Sequence, residues 1–367
     1  MALKAKTEKS NLKMLVLDLD GTILNDHKKI IPENLKVIQE LKKQDPHLVL
    51  CIATGRTFTT SIRFAKEIGA DVLITDDGGA IYTKTYDHKY KLEKAFYISK
   101  QESSVIYDQI IEYSQKNPNL VWHFSTDNIN HNSIIRYGQD SLKKAYQIFC
   151  PHEKITGDNI LQIKDFAELK KLGLNTCITR IHVYFGNENI GKKQHRKFNK
   201  YLDKNKGKIS YLSPFTTMKA IAPLGVDKGN AVIYVKEKLK KKGIYIKNSE
   251  VVIVGNDYND LDMLKLEGCQ SYCPANAIKQ IKDLANVSPL KNTNNEPWLK
   301  ELLEDFATER QQFYQTHTGH DITSKTFLDK FLAKAKNNFP NHTPNTVSAR
   351  QNINKSKINK SPLDIAR

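Results

Sequence analysis

The sequence predicts an α/β protein, a doubly wound parallel sheet interrupted by an inserted α+β domain and followed by a basic low-complexity tail. Strand-length apolar runs, Met14-Leu15-Val16-Leu17, Leu48-Val49-Leu50-Cys51-Ile52 and Val251-Val252-Ile253-Val254, alternate with stretches of helical period. Short uninterrupted runs of this kind suit strands buried on both faces, as in parallel sheets. Each run is followed by polar residues, and open α/β sheets bind their ligands at the carboxyl ends of strands.

Residues 1–83 form the first part of the predicted core. They give a strand at Met14 to Leu17, a helix near Pro32 to Lys43, a strand at Leu48 to Ala53, a helix near Thr60 to Ile68 and a strand at Val72 to Thr75. That alternation is half of a doubly wound sheet. From 84 to 214 the texture becomes aromatic-rich and alternating, as in Leu120-Val121-Trp122-His123-Phe124 and Arg180-Ile181-His182-Val183-Tyr184-Phe185. With helices near Ser103 to Lys116 and Gly191 to Tyr201, this predicts an inserted α+β cap domain. Residues 215–322 resume the core, from Thr217-Met218-Lys219-Ala220-Ile221-Ala222 to a helix beginning near Pro297. In the tail, 323–367, nine Lys/Arg face Asp329 and Asp364, a net charge of +7. Poor in large apolar residues, it is predicted to be disordered. It reads either as a solvated tail, as an electrostatic tether giving weak contact with nucleic acid or an anionic membrane surface, or as a sorting or secretion signal.

Chemistry concentrates at four of these strand and helix ends. Asp18-Leu19-Asp20-Gly21-Thr22 directly follows the first strand. Two residues apart on an extended chain, Asp18 and Asp20 share a face. Carboxylates that close repel unless a cation lies between them, which points to a divalent metal, Mg²⁺, with its preference for oxygen ligands. Ala53-Thr54-Gly55-Arg56 brings a hydroxyl and a guanidinium to the end of the second strand, suited to phosphate oxygens. Gly225-Val226-Asp227-Lys228-Gly229 opens an amphipathic stretch through Leu239, so Lys228 stands at a helix start that already favours anions. Val251 to Val254 runs into Gly255-Asn256-Asp257-Tyr258-Asn259-Asp260. A hydroxyl, a cation and two acidic clusters in this order suit phosphoryl transfer.

This order of motifs resembles that of the haloacid dehalogenase-like superfamily. The long insertion between the second and third motifs is similar to its Cof-type sugar-phosphatase branch, near sucrose-phosphatase-like members, over about residues 12 to 305. The resemblance implies a Rossmann-like core with a cap. It also implies a Mg²⁺-dependent phosphatase acting on a small phosphorylated metabolite, a sugar or polyol phosphate, through an aspartyl-phosphate intermediate. By the same resemblance Asp18 is the nucleophile and Asp20 the general acid and base, a double role that requires a pKa near working pH. Thr54, Gly55, Arg56, Lys228 and Asn259 surround the phosphate, and Asp18, the Asp20 carbonyl and the fourth motif hold Mg²⁺. Asp77-Gly78-Gly79-Ala80-Ile81-Tyr82 is similar to the family's Asn-Gly-Ala segment at the cap entry, and Pro274-Ala275-Asn276-Ala277 is similar to its Gly-Asn-Ala turn.

Two positions depart from the family pattern. Asn256 stands where the family has the Asp of Gly-Asp-x-x-Asn-Asp. An amide oxygen can ligate Mg²⁺ without bringing charge, so either Asn256 coordinates weakly or Asp257 or Asp260 supplies the missing carboxylate. Asp77 replaces an Asn near the substrate phosphate, where a second anion would repel it. Two other functions stay open: a phosphomutase using the same intermediate, and a catalytically impaired homologue that binds nucleic acid or a partner.

The 367 residues, 39% hydrophobic, are enough for two domains and a tail. No apolar run approaches the roughly 20 residues of a bilayer span, and Met1 to Asn11 lacks the apolar core of a signal peptide. Five scattered cysteines, Cys51, Cys150, Cys177, Cys269 and Cys273, read as reduced thiols, which predicts a cytoplasmic protein. His123 and His182, in cap strands, read as packing or surface residues.

Overall fold

Four apolar residues without a polar neighbour are stable only where both faces are covered. In the computed structural model Met14–Leu17 forms β1, fully buried within an eight-stranded sheet. The structure describes residues 12–117, 119–127, 134–137, 160–163, 166–186, 189–213, 217–287 and 295–306. The chain continues through α1 (Pro32–Gln44), with Pro in its first turn and Lys42 and Lys43 in its last, an arrangement suited to the helix dipole. Then come β2 (Val49–Ala53), α2 (Phe58–Ile68) and β3 (Val72–Thr75), with β1, β2 and β3 parallel. A 3-10 turn at Asp76–Gly78 leads into β4 (Ala80–Lys84) and β5 (Tyr90–Ala95), which continue the sheet antiparallel.

A second sheet follows. Its elements are α3 (Lys100–Ser114), β6 (Val121–Thr126), β7 (Ile134–Tyr137), β8 (Ile160–Ile163), α4 (Phe166–Lys171), β9 (Ile178–Tyr184), α5 (Asn189–Lys204), β10 (Ile209–Leu212) and β11 (Met218–Pro223). The strands lie in the order β10-β11-β9-β6-β7-β8. Alternation sorts the residues: Trp122, Phe124, Ile181 and Val183 pack with Ile106 and Ile110 of α3 and Phe198 and Leu202 of α5. The opposite face carries His123, Ser125, Arg180 and His182, with His123 opposite His182 and Ser125 opposite Arg180 across the β6–β9 pair.

The chain then returns to the first sheet with α6 (Lys228–Lys241), β12 (Val251–Val254), α7 (Leu261–Leu264), β13 (Gln270–Cys273), α8 (Lys279–Leu284) and β14 (Asn286–Val287). A helix over 298–306, α9, ends the described chain. The order β14-β13-β12-β1-β2-β3-β4-β5 reverses direction at β1. Leu15 and Leu17 of β1 join a core that includes Ile38 of α1, Phe64 of α2 and Leu299 of α9. Met14 and Val16 join another with Val232 of α6 and Met263 of α7. Helices on both faces make the sheet doubly wound, and the crevice between β1 and β12 is its switch point, where such sheets bind ligands.

Sheet membership moves both expected cap boundaries. β4 and β5 extend the first sheet, so the core runs past 83 to Ala95. β11 pairs with β9 and β10, so 218–223 belongs to the cap sheet and does not resume the core at 215. β5 is half-exposed and alternates like a cap strand, whereas β11 is buried almost throughout and reads like a core strand. Texture reports how well a strand is covered, not which sheet it joins. The tail at 323–367 and Cys150 lie outside the described residues. Among the described residues no helix is long and apolar enough to cross a membrane.

Candidate active site

At the switch point Asp18 leaves β1, its backbone N–H donating to the Val254 carbonyl of β12 at 3.0 Å. Its carboxylate is buried between two donors, Lys228 Nζ at 2.7 Å on one oxygen and Thr22 Oγ1 at 2.9 Å on the other. Burial and the nearby Asp260 push the Asp18 pKa up against the pull of Lys228, to about 7. Gly21 makes the return of Thr22 possible. It sits at φ +74°, and a Cβ there would stand 2.3 Å from Asn256 Nδ2. The loop is pinned from α9, where Trp298 Nε1 donates to the Thr22 carbonyl at 2.9 Å.

Asp20 is gripped by cations. Arg56 donates from Nε at 2.6 Å and Nη2 at 2.9 Å, a bidentate fork, and Lys28 Nζ adds a third contact at 2.8 Å. Burial pushes the Asp20 pKa up, but Arg56 and Lys28 outweigh it and hold the carboxyl well below the usual carboxylate range. The Asp20 carboxyl is therefore ionised in this arrangement, below the working range expected of a general acid and base. The arrangement also places Arg56 on Asp20.

Lys228 is the first residue of α6, whose N-cap Asp227 accepts the Asn230 N–H at 2.7 Å. Fully buried, its Nζ lies 2.7 Å from Asp18, 2.7 Å from Asp260 and 3.8 Å from Asp77. Burial disfavours its charge, but these three carboxylates more than offset that and hold its pKa above the usual lysine range.

The three fourth-motif carbonyl-bearing candidates for metal ligation separate clearly. Asp260 has no exposed surface; one oxygen takes Lys228 and the other accepts the N–H groups of Asn256 at 2.8 Å and Asp257 at 3.0 Å. It folds the loop and clamps Lys228, so its oxygens are committed. Asp257 is exposed and caps the turn through the Tyr258 N–H at 2.7 Å. Asn256 Oδ1, by contrast, accepts from Thr22 Oγ1 at 3.0 Å, the same hydroxyl that reaches Asp18. Asn256 Oδ1 and the Asp18 carboxylate therefore flank one point, next to the loop of Asp20. Hard oxygen donors of this kind fit Mg²⁺ in type, with one negative charge fewer than two carboxylates would bring.

Thr54 is buried at the end of β2, its Oγ1 accepting the Arg56 N–H at 3.2 Å. Gly55 abuts Asp77, since a Cβ on Gly55 would lie 3.0 Å from Asp77 Oδ1. Asn259 Nδ2 donates to that same oxygen at 2.8 Å. Asp76 and Asp77 both adopt left-handed backbone, φ 51° and 49°, a strained pair that Asp tolerates better than most residues. The cap reaches this turn through Arg180, whose Nη1 donates to Asp77 Oδ2 at 2.7 Å and whose Nε donates to the Asp76 carbonyl at 3.1 Å. His123 and His182 stack at 4.4 Å on the same cap face, and burial, with Arg180, pushes the His182 pKa down to about 3.

The structure thus brings together Asp18, Asp20, Thr54, Gly55, Arg56, Lys228, Asn256, Asn259 and Asp260, with Asp257 turned to solvent. Sequence reasoning passed over Thr22, Lys28 and Arg180. Thr22 lies inside the first motif, and a charged residue in an otherwise buried strand flags Arg180. Lys28 carries no signal, because it reaches Asp20 through a loop.

Residues 15–297 match the haloacid dehalogenase-like hydrolase family. A 5-amino-6-(5-phospho-D-ribitylamino)uracil phosphatase of Bacillus subtilis is 21% identical over 301 residues, 80% of this chain and 97% of that protein. The crystal structure of a haloacid dehalogenase-like hydrolase from Bacteroides thetaiotaomicron superposes with a TM-score of 0.61 at 22% identity, covering 80% of this chain and 99% of that one. A haloacid dehalogenase-like hydrolase from Bacillus subtilis gives a TM-score of 0.62 at 18% identity, covering 80% and 99%. At these identities the structural likeness speaks for the fold, while the match over 15–297 spans most of the chain. The chain belongs to the haloacid dehalogenase-like hydrolase family.

Proposed function

We propose that the protein is a cytoplasmic, Mg²⁺-dependent phosphatase that hydrolyses a small phosphorylated metabolite, a sugar or polyol phosphate, through an aspartyl-phosphate intermediate on Asp18. The observation that carries this reading is the Asp18 carboxylate held between Lys228 and Thr22 at the switch point of the sheet. Asp18 attacks phosphorus in line, the ester P–O bond breaks, and the leaving alkoxide takes a proton. Water then attacks the aspartyl phosphate, with Asp20 taking its proton, and inorganic phosphate leaves with Asp18 regenerated.

Held as it is, Asp20 is ionised but, with its pKa depressed, a weak base. It becomes an acid for the first step once the substrate phosphate draws Arg56 away from it, since Arg56 is the foremost cause of its low pKa. Lys228 neutralises charge on Asp18 and the phosphoryl group alike. Mg²⁺, held by the Asp18 carboxylate, the Asp20 carbonyl and Asn256 Oδ1, would supply the charge that keeps Asp18 ionised and offsets its repulsion from the phosphate dianion. The name of the Bacillus subtilis relative describes a polyol phosphate joined to a heterocycle, which supports a polyol ester as substrate class. Free Cys51, Cys269 and Cys273 support a reducing compartment.

The test is release of inorganic phosphate from a panel of sugar, polyol and ribitylamino-heterocycle phosphates, with and without Mg²⁺. Turnover of at least one polyol or sugar ester that is lost with EDTA is the expected result. No turnover of any ester by protein that is folded and Mg²⁺-saturated overturns the reading.

A further inference from the structure

Asp77 occupies an unusual position for an anion. Its carboxylate stands where a Cβ on Gly55 of the second motif would meet it at 3.0 Å, accepts from Asn259 of the fourth, and lies 3.8 Å from Lys228 of the third. An unbalanced charge there would draw Lys228 from Asp18 and repel an incoming phosphate, both of which lie in low dielectric where Coulomb forces are strong. The counter-charge comes from the cap. Arg180 projects from β9, is 1% exposed, and places Nη1 2.7 Å from Asp77 Oδ2. Its Nε is used on the Asp76 carbonyl, which fixes the guanidinium plane against the strained turn. Among the described residues this is a buried ion pair joining the second sheet to the loop of the first.

We infer that Arg180 is a positioning residue for the phosphate site. By neutralising Asp77 it leaves Lys228 committed to Asp18 and Asp260 and leaves the phosphate position free of a net opposing charge. The inference rests on the phosphatase reading for its kinetic readout, though not for its binding readout. A simpler role is available to the same contact, that of pinning the cap to the core. The two differ in what happens when both charges are removed. A pin is lost in the double variant, whereas a neutralised site is restored.

The experiment compares wild type, Arg180→Met, Asp77→Asn, Arg180→Met/Asp77→Asn and Arg180→Lys. For each, KM and kcat on the best phosphate ester are measured, with Kd for orthovanadate by calorimetry in Mg²⁺. Arg180→Met should raise KM and the orthovanadate Kd by about tenfold or more. The double variant should return both to within about threefold of wild type, a coupling far outside additivity. Arg180→Lys, which keeps the charge, should stay near wild type. A folded Arg180→Met with unchanged KM and Kd, or a double variant no better than the single one, overturns the inference. Should Arg180→Met fail to fold, the double variant has no unpaired buried charge and must bind orthovanadate within about threefold of wild type; weaker binding again overturns it. Wild type that binds orthovanadate but turns over no ester would sink the phosphatase reading and leave this one to the binding cycle. Wild type that does not bind orthovanadate at all would sink both.

Discussion

Replacing Asn256 with Asp tests where the metal sits. Asn256 Oδ1 and Asp18 Oδ2 are bridged by one hydroxyl at 3.0 and 2.9 Å, so they can be no farther apart than those two contacts laid end to end. Two carboxylate charges about 6 Å apart repel by about 3 kcal/mol at an effective dielectric constant of 20. Lys228 already pairs with Asp18, so part of that repulsion is offset. Without Mg²⁺, Asn256→Asp should therefore lose about 1 to 3 kcal/mol of stability, read from urea denaturation in EDTA. With Mg²⁺ the repulsion turns into attraction for the ion, and the Mg²⁺ concentration giving half-maximal phosphate release should fall by about tenfold or more. Asp257→Asn is the control. It keeps a side-chain acceptor for the Tyr258 N–H, since Asn caps about as well as Asp, and should leave the Mg²⁺ requirement where it was. If Asn256→Asp changes neither stability in EDTA nor Mg²⁺ dependence, Asn256 is not beside the metal. If Asp257→Asn instead weakens Mg²⁺ dependence, the exposed carboxylate is the ligand.

Asp18→Asn should lower phosphate release by about three orders of magnitude or more while circular dichroism stays native, because the amide keeps the shape but is a poor nucleophile; near-normal turnover would refute the covalent mechanism. Lys228→Met leaves Asp18 and Asp260 buried without their shared cation, and should cost about 3 to 5 kcal/mol as well as activity; a variant as stable as wild type would show that water reaches these carboxylates. Two buried groups make opposite pH demands. His182, depressed to about 3, stays neutral in the fold while the unfolded chain takes a proton below about pH 6.5, so its contribution weakens as pH falls from 7 to 5. Asp76, pushed up to about 7 by burial, is protonated in the fold at pH values where the unfolded chain is not, so its contribution strengthens over the same interval. In urea titrations Asp76→Asn should thus lose about 1 to 2 kcal/mol between pH 7 and 5, and His182→Phe should gain a similar amount; parallel slopes in the two variants would refute both assignments.

How much of this was legible beforehand depends on the range of the interaction. Strands such as Met14–Leu17 and Val251–Val254 could be read because burial on both faces leaves an unbroken apolar run, and their polar ends located the site. Helix ends moved by one to three residues, as at Lys100–Ser114, where Ser99 caps earlier than the apolar period begins. Sheet membership was not legible for β5 and β11: their partners β4 and β10 lie close by in sequence, but a local run shows how well a strand is covered and not which strand it pairs with. The same limit applied within the site. Asp18, Lys228 and Asp260 carry their chemistry in their motifs, but the grip of Lys28 on Asp20 and of Arg180 on Asp77 joins segments with no local pattern between them. A motif gives a residue's type and element end; its protonation depends on neighbours that only the fold supplies.

The two departures from the family pattern bear on each other through Lys228. Relative to that pattern, a carboxylate is missing at 256 and an extra one is present at 77, so the number of carboxylates around the site is unchanged while one negative charge has moved. At 256 the neutral amide sits next to Asp18, which lowers the charge that draws the metal. At 77 the added charge lies on the far side of Lys228, toward the cap, and meets Arg180 there. Together the two departures leave the Lys228 ammonium with two close carboxylates and a third at 3.8 Å that is already paired.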